Sequence, residues 1–196
     1  GSEYIELKNL ITEKKLNTVC EEASCPNIYE CWSMGTATFM IMGDTCTRAC
    51  GFCDVNTGKP GDLDELEPLR VAESVKTMKL THAVVTSVNR DDLEDGGSGF
   101  FAKTIEEIKL MNPSTSVEVL IPDFKGDRTA IDNIINEEPE VLNHNLETVP
   151  RLQREIRTAA SYGRSLSLLQ YAKEVNFSGK TKTGLIVGMG EEFDEV

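Results

Sequence analysis

From residue 36 onward, short β-branched and apolar runs alternate with stretches whose apolar residues recur every three or four positions. These are the periods of strands and of amphipathic helices. The spacing predicts a first strand at 36–42, then a helix at 71–80 with Val71, Val75 and Met78 on one face. A strand at 82–88 and a helix at 100–111 burying Phe101, Ile105 and Ile108 come next. Asn112-Pro113 stops that helix, because proline pushes the residue before it out of the helical region. A third strand at 116–121, a third helix at 129–137 and a fourth strand at 141–146 continue the rhythm. Helical turns at 150–157 and 165–175 lead to a fifth strand at 183–187, after which another helix begins at 193–196. Repeated strand–helix units imply an α/β fold, a partial parallel TIM-like barrel.

In such a barrel, functional groups gather where loops leave the C-terminal ends of the strands. Ser87, Asn89 and Arg90 follow the second strand, Asp123 follows the third, and Asn143, Asn145 and Glu147 lie in and after the fourth. A period of two would put those last three on one face, with Leu142, His144 and Leu146 on the other. Polar residues in these places either satisfy loop backbone or hold a ligand, and the convergence of the loops favours a ligand. His82 and His144 read as structural, and Met34, Met40 and Met42 as soft core packing. Residues 58–68, with Pro60-Gly61 and an acidic run, read as a solvated loop.

With 196 residues, 39% of them apolar, the chain can bury a core of its own. The 33 acidic and 20 basic residues give a net charge of −13. That balance argues against a nucleic-acid groove or an anionic membrane surface, both of which need clustered Lys and Arg. No apolar run approaches membrane-spanning length, and Gly1-Ser2 resembles a tag-cleavage scar. The expected home is the cytoplasm, or a mitochondrial matrix or plastid after removal of a targeting peptide.

All six cysteines fall in the first 53 residues, as two triplets: Cys20, Cys25, Cys31 and Cys46, Cys50, Cys53. The second triplet, CTRACGFC, sits on the loop after the first strand, where three thiolates can hold three irons of a cubane and leave the fourth iron open. Disulfides are a weaker reading, since residues 54–196 contain no cysteine. Zinc remains an alternative, although structural zinc wants four ligands, often in paired C-x2-C units.

CTRACGFC matches the CX3CX2C signature of radical S-adenosylmethionine (SAM) enzymes, with Phe52 as the aromatic residue before the last cysteine. TVCEEASCPNIYECW, with its CX4CX5C spacing, is similar to the auxiliary-cluster motif of the lipoyl synthase family. GTATFMIMGDTCTRACGFCDV, VVTSVNRDDLEDGG, VEVLIPDFKG, VLNHNLETVPRL and TGLIVGMGE extend the likeness in order along nearly the whole chain.

The resemblance implies a partial (β/α)6 barrel of the radical SAM type at 36–196, behind an N-terminal cluster-binding extension at 1–35. It implies two 4Fe-4S clusters, one on Cys46, Cys50 and Cys53 that cleaves SAM to a 5′-deoxyadenosyl radical, and one on Cys20, Cys25 and Cys31 consumed as sulfur donor. The implied reaction inserts two sulfur atoms at C6 and C8 of an octanoyl group on a lysine of a lipoyl carrier protein. The N-terminal segment is then expected to fold across the barrel mouth. Implied partners are the carrier (H protein or an E2 lipoyl domain), an electron donor such as ferredoxin or flavodoxin, and a cluster-repair protein.

Gly184, Ile186, Gly188 and Glu191 fit the family's GxIxGxxE pattern, which places Ile186 on the adenine and lets the glycines approach closely. Phe52, Ser87, Asn143, Asn145, Glu147, Arg164, Ile186 and Gly188 are the candidate SAM-binding residues. An arginine such as Arg164 would pair with the cosubstrate carboxylate. The family's Arg-Ser-Ser-Tyr stretch, whose serine ligates the auxiliary cluster, has no match here, so a longer natural protein is expected. The rival readings are another sulfur-inserting radical SAM enzyme, resembling biotin synthase, and a non-catalytic iron–sulfur or zinc scaffold.

Overall fold

The computed structural model describes residue 14, residues 16–19 and residues 27–196. A six-stranded sheet organises them, in the order β1 (Asn17–Thr18), β2 (Thr36–Ile41), β5 (His82–Ser87), β6 (Ser116–Leu120), β7 (Val141–Asn143) and β8 (Lys180–Lys182). β2, β5, β6, β7 and β8 run parallel in chain order, and β1 adds antiparallel to the free edge of β2. Helices α2 (Glu67–Thr77), α3 (Ser98–Met111) and α4 (Arg128–Ile135) supply the crossovers between β2, β5, β6 and β7, and α6 (Tyr162–Glu174) leads into β8. The expected βα barrel architecture is therefore present, with its five parallel strands.

Cross-strand register sorts the two faces. Ala37, Phe39, Ile41, Ala83, Val85, Val117, Val119 and Leu142 form one face and are almost wholly buried against the helices. The helices answer with Val71, Ala72, Val75, Phe101, Ile105, Ile108, Ile131 and Ile134, and this helix–sheet layer is the hydrophobic core. The opposite face carries Thr36, Thr38, His82, Thr86, Ser116, Glu118, Asn143 and Lys182 interleaved with Met40, Val84, Leu120 and Val141, a more polar surface than the core face. Glu118 is buried there and pairs with Lys182 Nζ at 2.8 Å, with His82 Nε2 lying 3.4 Å away.

Helix boundaries follow local chemistry. α2 starts earlier than its apolar spacing predicts because Pro68 fits the first turn, where no N–H is needed. Asp127 caps α4 by accepting from the Thr129 N–H at 2.9 Å. Ser161 caps α6 in the same way through the Arg164 N–H.

Two strand predictions need correction. The fourth strand ends at Asn143, and residues 144–147 leave the pleat: His144 N–H bonds to Lys182 O, and the Leu146 and Glu147 N–H groups share Gly184 O. Glu147 has φ of 64°, which a strand does not permit. Leu142, His144 and Leu146 are buried while Asn145 and Glu147 are half-buried, but beyond Asn143 their directions are set by these loop bonds and not by a pleat. The fifth strand is Lys180–Lys182, not 183–187, where only Leu185 makes an isolated bridge, to Glu147. Its Lys-Thr-Lys sequence carries no apolar signal because its lysines lie on the more polar face, where Lys182 meets Glu118.

Candidate active site at the C-terminal ends of the strands

The loop after β2 carries Cys46, Cys50 and Cys53, all free thiols. Two short parallel strands, β3 (Thr45–Cys46) and β4 (Asn56–Thr57), close it at the base, and Gly58 N–H bonds to Cys46 O at 3.0 Å. Within the loop, Cys53 N–H bonds to Cys50 O at 3.1 Å.

Neighbouring loops grip it from two sides. After β5, Asn89 N–H points at Cys46 Sγ (3.3 Å), as does Arg48 N–H (3.4 Å), and Asn89 O accepts from Thr47 N–H. On the other side lies the short helix α5 (Gln153–Ile156), where Ile156 O accepts from Gly51 N–H at 2.8 Å and Thr158 Oγ1 donates to Ala49 O.

A buried charge network lies beneath the loop. Arg48 Nη2 stands 2.8 Å from Asp123 Oδ1, while Asp91 accepts from Arg48 Nε and Nη2. Asp123 is fully buried and also accepts from Arg164 Nη1 at 2.9 Å. Burial works against the Asp123 charge, but Arg48, Arg164 and the Lys125 N–H together hold the carboxyl below its ordinary value. The Arg48 bond is the leading cause holding Asp91 low as well.

Several polar atoms at the strand ends are buried with no hydrogen-bond partner, among them Ser87 Oγ and Asn143 Oδ1, and beyond β7 Gln153 Oε1. An unpaired buried acceptor is costly, so these atoms mark positions where a polar ligand would complete the bonding. Glu147 stands nearby, its carboxyl pushed up by burial and pulled back by a bond from Asn145. A Cβ at Gly184 would lie 3.0 Å from Asn145 Oδ1, so the glycine permits the close approach its motif implies. Ile186 is 41% exposed and donates its N–H to Glu147 O at 2.8 Å. Gly188 turns at φ of 100°, and the Glu191 carboxylate accepts its N–H and that of Met189.

The structure thus gathers Cys46, Cys50, Cys53 and Phe52 on one loop, with Ser87, Asn143, Asn145, Glu147, Ile186 and Gly188 at or beyond neighbouring strand ends. Arg164 Nη1 bonds both Asp123 and Ala159 O, so this side chain braces the charge network. Arg90 turns away to bond Met42 O, Gly61 O and Asp92. His144 is structural, as expected, wholly buried with burial lowering its pKa to about 4.

Cys20 and Cys25 lie outside the described residues. Cys31 sits in α1 (Ile28–Ser33), joined to the start of β2 by only Met34 and Gly35. Six strand residues, a rise of ~20 Å, separate that end from the Cys46 loop. Cys31 therefore stands at the N-terminal end of β2, whereas Asn17 and Thr18, also in the N-terminal segment, pair with Met40 and Phe39 near its C-terminal end.

Neither Arg48 nor Arg157 stands out as a site residue in the chain's periodicity or motifs. Arg48 left a signal, a basic residue inside the cysteine motif matched by the acidic Asp91-Asp92 pair after the next strand. Arg157 left none, because its surroundings read as an ordinary surface helix.

The donor set fits an iron–sulfur cluster: three thiols on one loop, with N–H donors aimed at sulfur and unpaired polar atoms beside them for a bound cosubstrate. Among the described residues, no group of three His, Cys, Asp or Glu side chains surrounds a single-ion position. No described helix is long and apolar enough to cross a membrane.

Comparison with known proteins agrees with this geometry. The Radical SAM superfamily model matches residues 40–196. A solved structure of methylornithine synthase superposes with a TM-score of 0.63 over 82% of this chain and 47% of its own, at 15% identity, a likeness of fold. The lipoyl synthase of Rubrobacter xylanophilus is 56% identical over all 196 residues, which span 61% of that protein. Those of Christiangramia forsetii and, as the mitochondrial enzyme, Nematostella vectensis are 54% and 53% identical over the full chain, which spans 67% of each. With a radical SAM match over most of its length and relatives of this closeness, the chain belongs to the lipoyl synthase family of the radical SAM superfamily.

Proposed function

We propose that this chain carries the catalytic barrel of a lipoyl synthase, which inserts sulfur at C6 and C8 of an octanoyl group on a lysine of a lipoyl carrier protein. The observation that carries the reading is the cysteine loop docked between Asn89 and Ile156, with unpaired Ser87 Oγ and Asn143 Oδ1 at adjacent strand ends.

Cys46, Cys50 and Cys53 would hold one 4Fe-4S cluster, and Cys31, with Cys20 and Cys25, a second. When bound, the first cluster and SAM supply a carbon-centred oxidant for unactivated C–H bonds, and the second supplies sulfur. The chain's own residues do the rest. Arg48, paired with Asp91 and Asp123, fixes the loop that carries the three thiols. Ser87, Asn143, Asn145 and Glu147 offer donors and acceptors to the amino acid and ribose parts of SAM, and Ile186 offers an apolar surface to its adenine. Gly184 and Gly188 let the backbone come close. Closure of the site around the octanoyl chain would keep water and stray hydrogen donors from the reacting carbon.

The partners follow from this chemistry: an octanoylated H protein or E2 lipoyl domain, a low-potential electron donor such as ferredoxin or flavodoxin, and a protein that rebuilds the spent cluster. A cytoplasmic or organellar home suits such partners.

The test is anaerobic reconstitution of the full-length protein, followed by SAM, a strong reductant and an octanoyl-lysyl peptide. Two cubanes give about eight irons per chain. Mass spectrometry is expected to show two sulfurs added to the peptide and 5′-deoxyadenosine released. Brown protein that makes no 5′-deoxyadenosine would overturn the reading, and colourless protein with bound zinc would favour a scaffold.

A further inference from the structure

β2 ends at Ile41, and the chain then takes two successive left-handed residues, Met42 at φ of 68° and Gly43 at φ of 92°, before Thr45-Cys46 form β3. Gly43 adopts that conformation freely, whereas the Cβ of Met42 crowds the following carbonyl oxygen. A side chain stays in such a turn only where its surroundings over-determine it, and turns of this kind gather at functional sites.

The surroundings of Met42 do so from three directions in the sequence. Glu67, the first residue of α2, accepts the Met42 N–H on Oε2 at 2.8 Å. Arg90, beyond β5, donates from Nη1 to Met42 O at 3.3 Å. The Met42 side chain lies against Gly97 at the start of α3, where a Cβ would collide with its sulfur. Met42, Glu67 and Arg90 are all buried, so side chains hold both backbone polar groups of Met42 out of water.

The grip continues to the first cysteine. Arg90 is anchored by Gly61 O at 3.0 Å and by Asp92 at 2.9 Å. Its neighbour Asn89 has its N–H 3.3 Å from Cys46 Sγ, and its carbonyl accepts the Thr47 N–H at 3.0 Å. One dipeptide therefore touches the loop both where it departs and at its first thiol.

Glu67 is the costly member of this arrangement. Among the described residues no ion pair engages it, and burial pushes its carboxyl up while the bond from Met42 pulls it back. A buried carboxyl without a paired cation is unfavourable for the fold. What it supplies is the acceptor for one N–H at the turn.

We propose that Glu67 is a positioning residue for the radical-generating centre: with Arg90 it locks Met42 in the left-handed turn from which the cysteine loop departs, and so fixes where Cys46 stands. This inference rests on the proposed cluster-binding role of Cys46, Cys50 and Cys53. Glu67 touches neither ligand nor cosubstrate and acts through the backbone of Met42 alone.

The test separates loop placement from general stability. In the full-length protein before reconstitution, alkylation of the buried Cys46 by iodoacetamide is followed by peptide mass spectrometry, with the exposed Cys53 as internal reference. Glu67→Ala leaves the Met42 N–H unpaired and is expected to raise the Cys46 rate relative to Cys53 at least tenfold. Glu67→Gln keeps an acceptor at the same reach and is expected to stay within twofold of wild type. Val75→Ala, a cavity in the same helix away from the turn, controls for stability and is also expected to stay within twofold. After reconstitution, the EPR signal that responds to SAM is expected to fall by more than half in Glu67→Ala and to persist in the other two.

An unchanged Cys46 rate in Glu67→Ala overturns the proposal, as does an equal rise in Val75→Ala. A raised rate with a SAM-responsive signal of wild-type intensity also overturns it, because the turn would then order the loop without serving the centre. If Glu67→Ala does not fold, Glu67→Asp, which shortens the reach to Met42 by one methylene, decides by the same criteria. Failure of the wild-type protein to form a SAM-responsive cluster would instead refute the underlying functional reading, while the alkylation ratio still tests the hold on Met42.

Discussion

Arg48 meets Asp91 side-on, with Nε 2.6 Å from Oδ2 and Nη2 2.8 Å from Oδ1, so an arginine inside the cysteine motif is clamped by a carboxylate beyond the next strand. The same Nη2 reaches the fully buried Asp123, making Arg48 the link between the loops that follow β2, β5 and β6. A cation at this point orients the thiols without using any side chain that must contact a ligand.

Removing Arg48 strands the Asp123 charge in the interior, with only Arg164 left to balance it. Arg48→Met is expected to cost about 3 kcal/mol of stability, in the range seen when a buried pair loses one member. Urea unfolding would read this directly; a loss under 1 kcal/mol would mean that water reaches Asp123 and the network is loose.

Ser87→Ala separates folding from binding. Ser87 Oγ is buried without a partner, so its removal is expected to leave stability unchanged or slightly raised. SAM affinity, measured by calorimetry on the reconstituted protein, should fall about tenfold, equivalent to ~1.4 kcal/mol. Unchanged affinity would show that Ser87 faces no ligand.

Gly184→Ala places a methyl 3.0 Å from Asn145 Oδ1 and pushes that amide away from Glu147. The expected result is weaker SAM binding with the iron content of the reconstituted protein intact. Equal loss of iron would mean that the change propagates to the cysteine loop instead.

His144 imposes a pH dependence on stability. Its folded pKa of about 4 lies below the unfolded value near 6.5, because burial disfavours the imidazolium. The unfolded state therefore binds more protons in that window, and stability falls as pH drops from 6.5 toward 4. Between pH 7 and pH 5 the loss attributable to His144 is about 2 kcal/mol. A His144→Gln variant should show a correspondingly flatter profile; parallel profiles would contradict the assignment.

How far the sequence anticipated the structure can be judged residue by residue. The periodic burial of Val71 and Val75, and of Phe101, Ile105 and Ile108, comes from a large helix–sheet core that demands apolar residues at fixed intervals, so those elements were legible. The cysteine loop was legible because metal ligation by one short loop restricts both spacing and residue type. Residues 144–147 and 180–182 were not, because there the backbone bends toward the site and that face of the sheet is more polar. Asn145 and Glu147 reach the mouth through a turn at φ of 64°, not through strand alternation, and Lys182 is a strand residue whose burial partner is Glu118. The docking of Ile156 on the cysteine loop was invisible for a related reason: it depends on Gly51 and Ile156 meeting in space, which no local pattern encodes.

The central claim, that Cys46, Cys50 and Cys53 hold a SAM-binding cluster, is tested most directly by the iron content and EPR response to SAM of the anaerobically reconstituted full-length protein with this triplet changed to alanine. The account predicts about half the wild-type iron, since one of two cubanes is lost, together with complete loss of the signal that changes when SAM is added. Wild-type iron with an unaltered SAM response would contradict it.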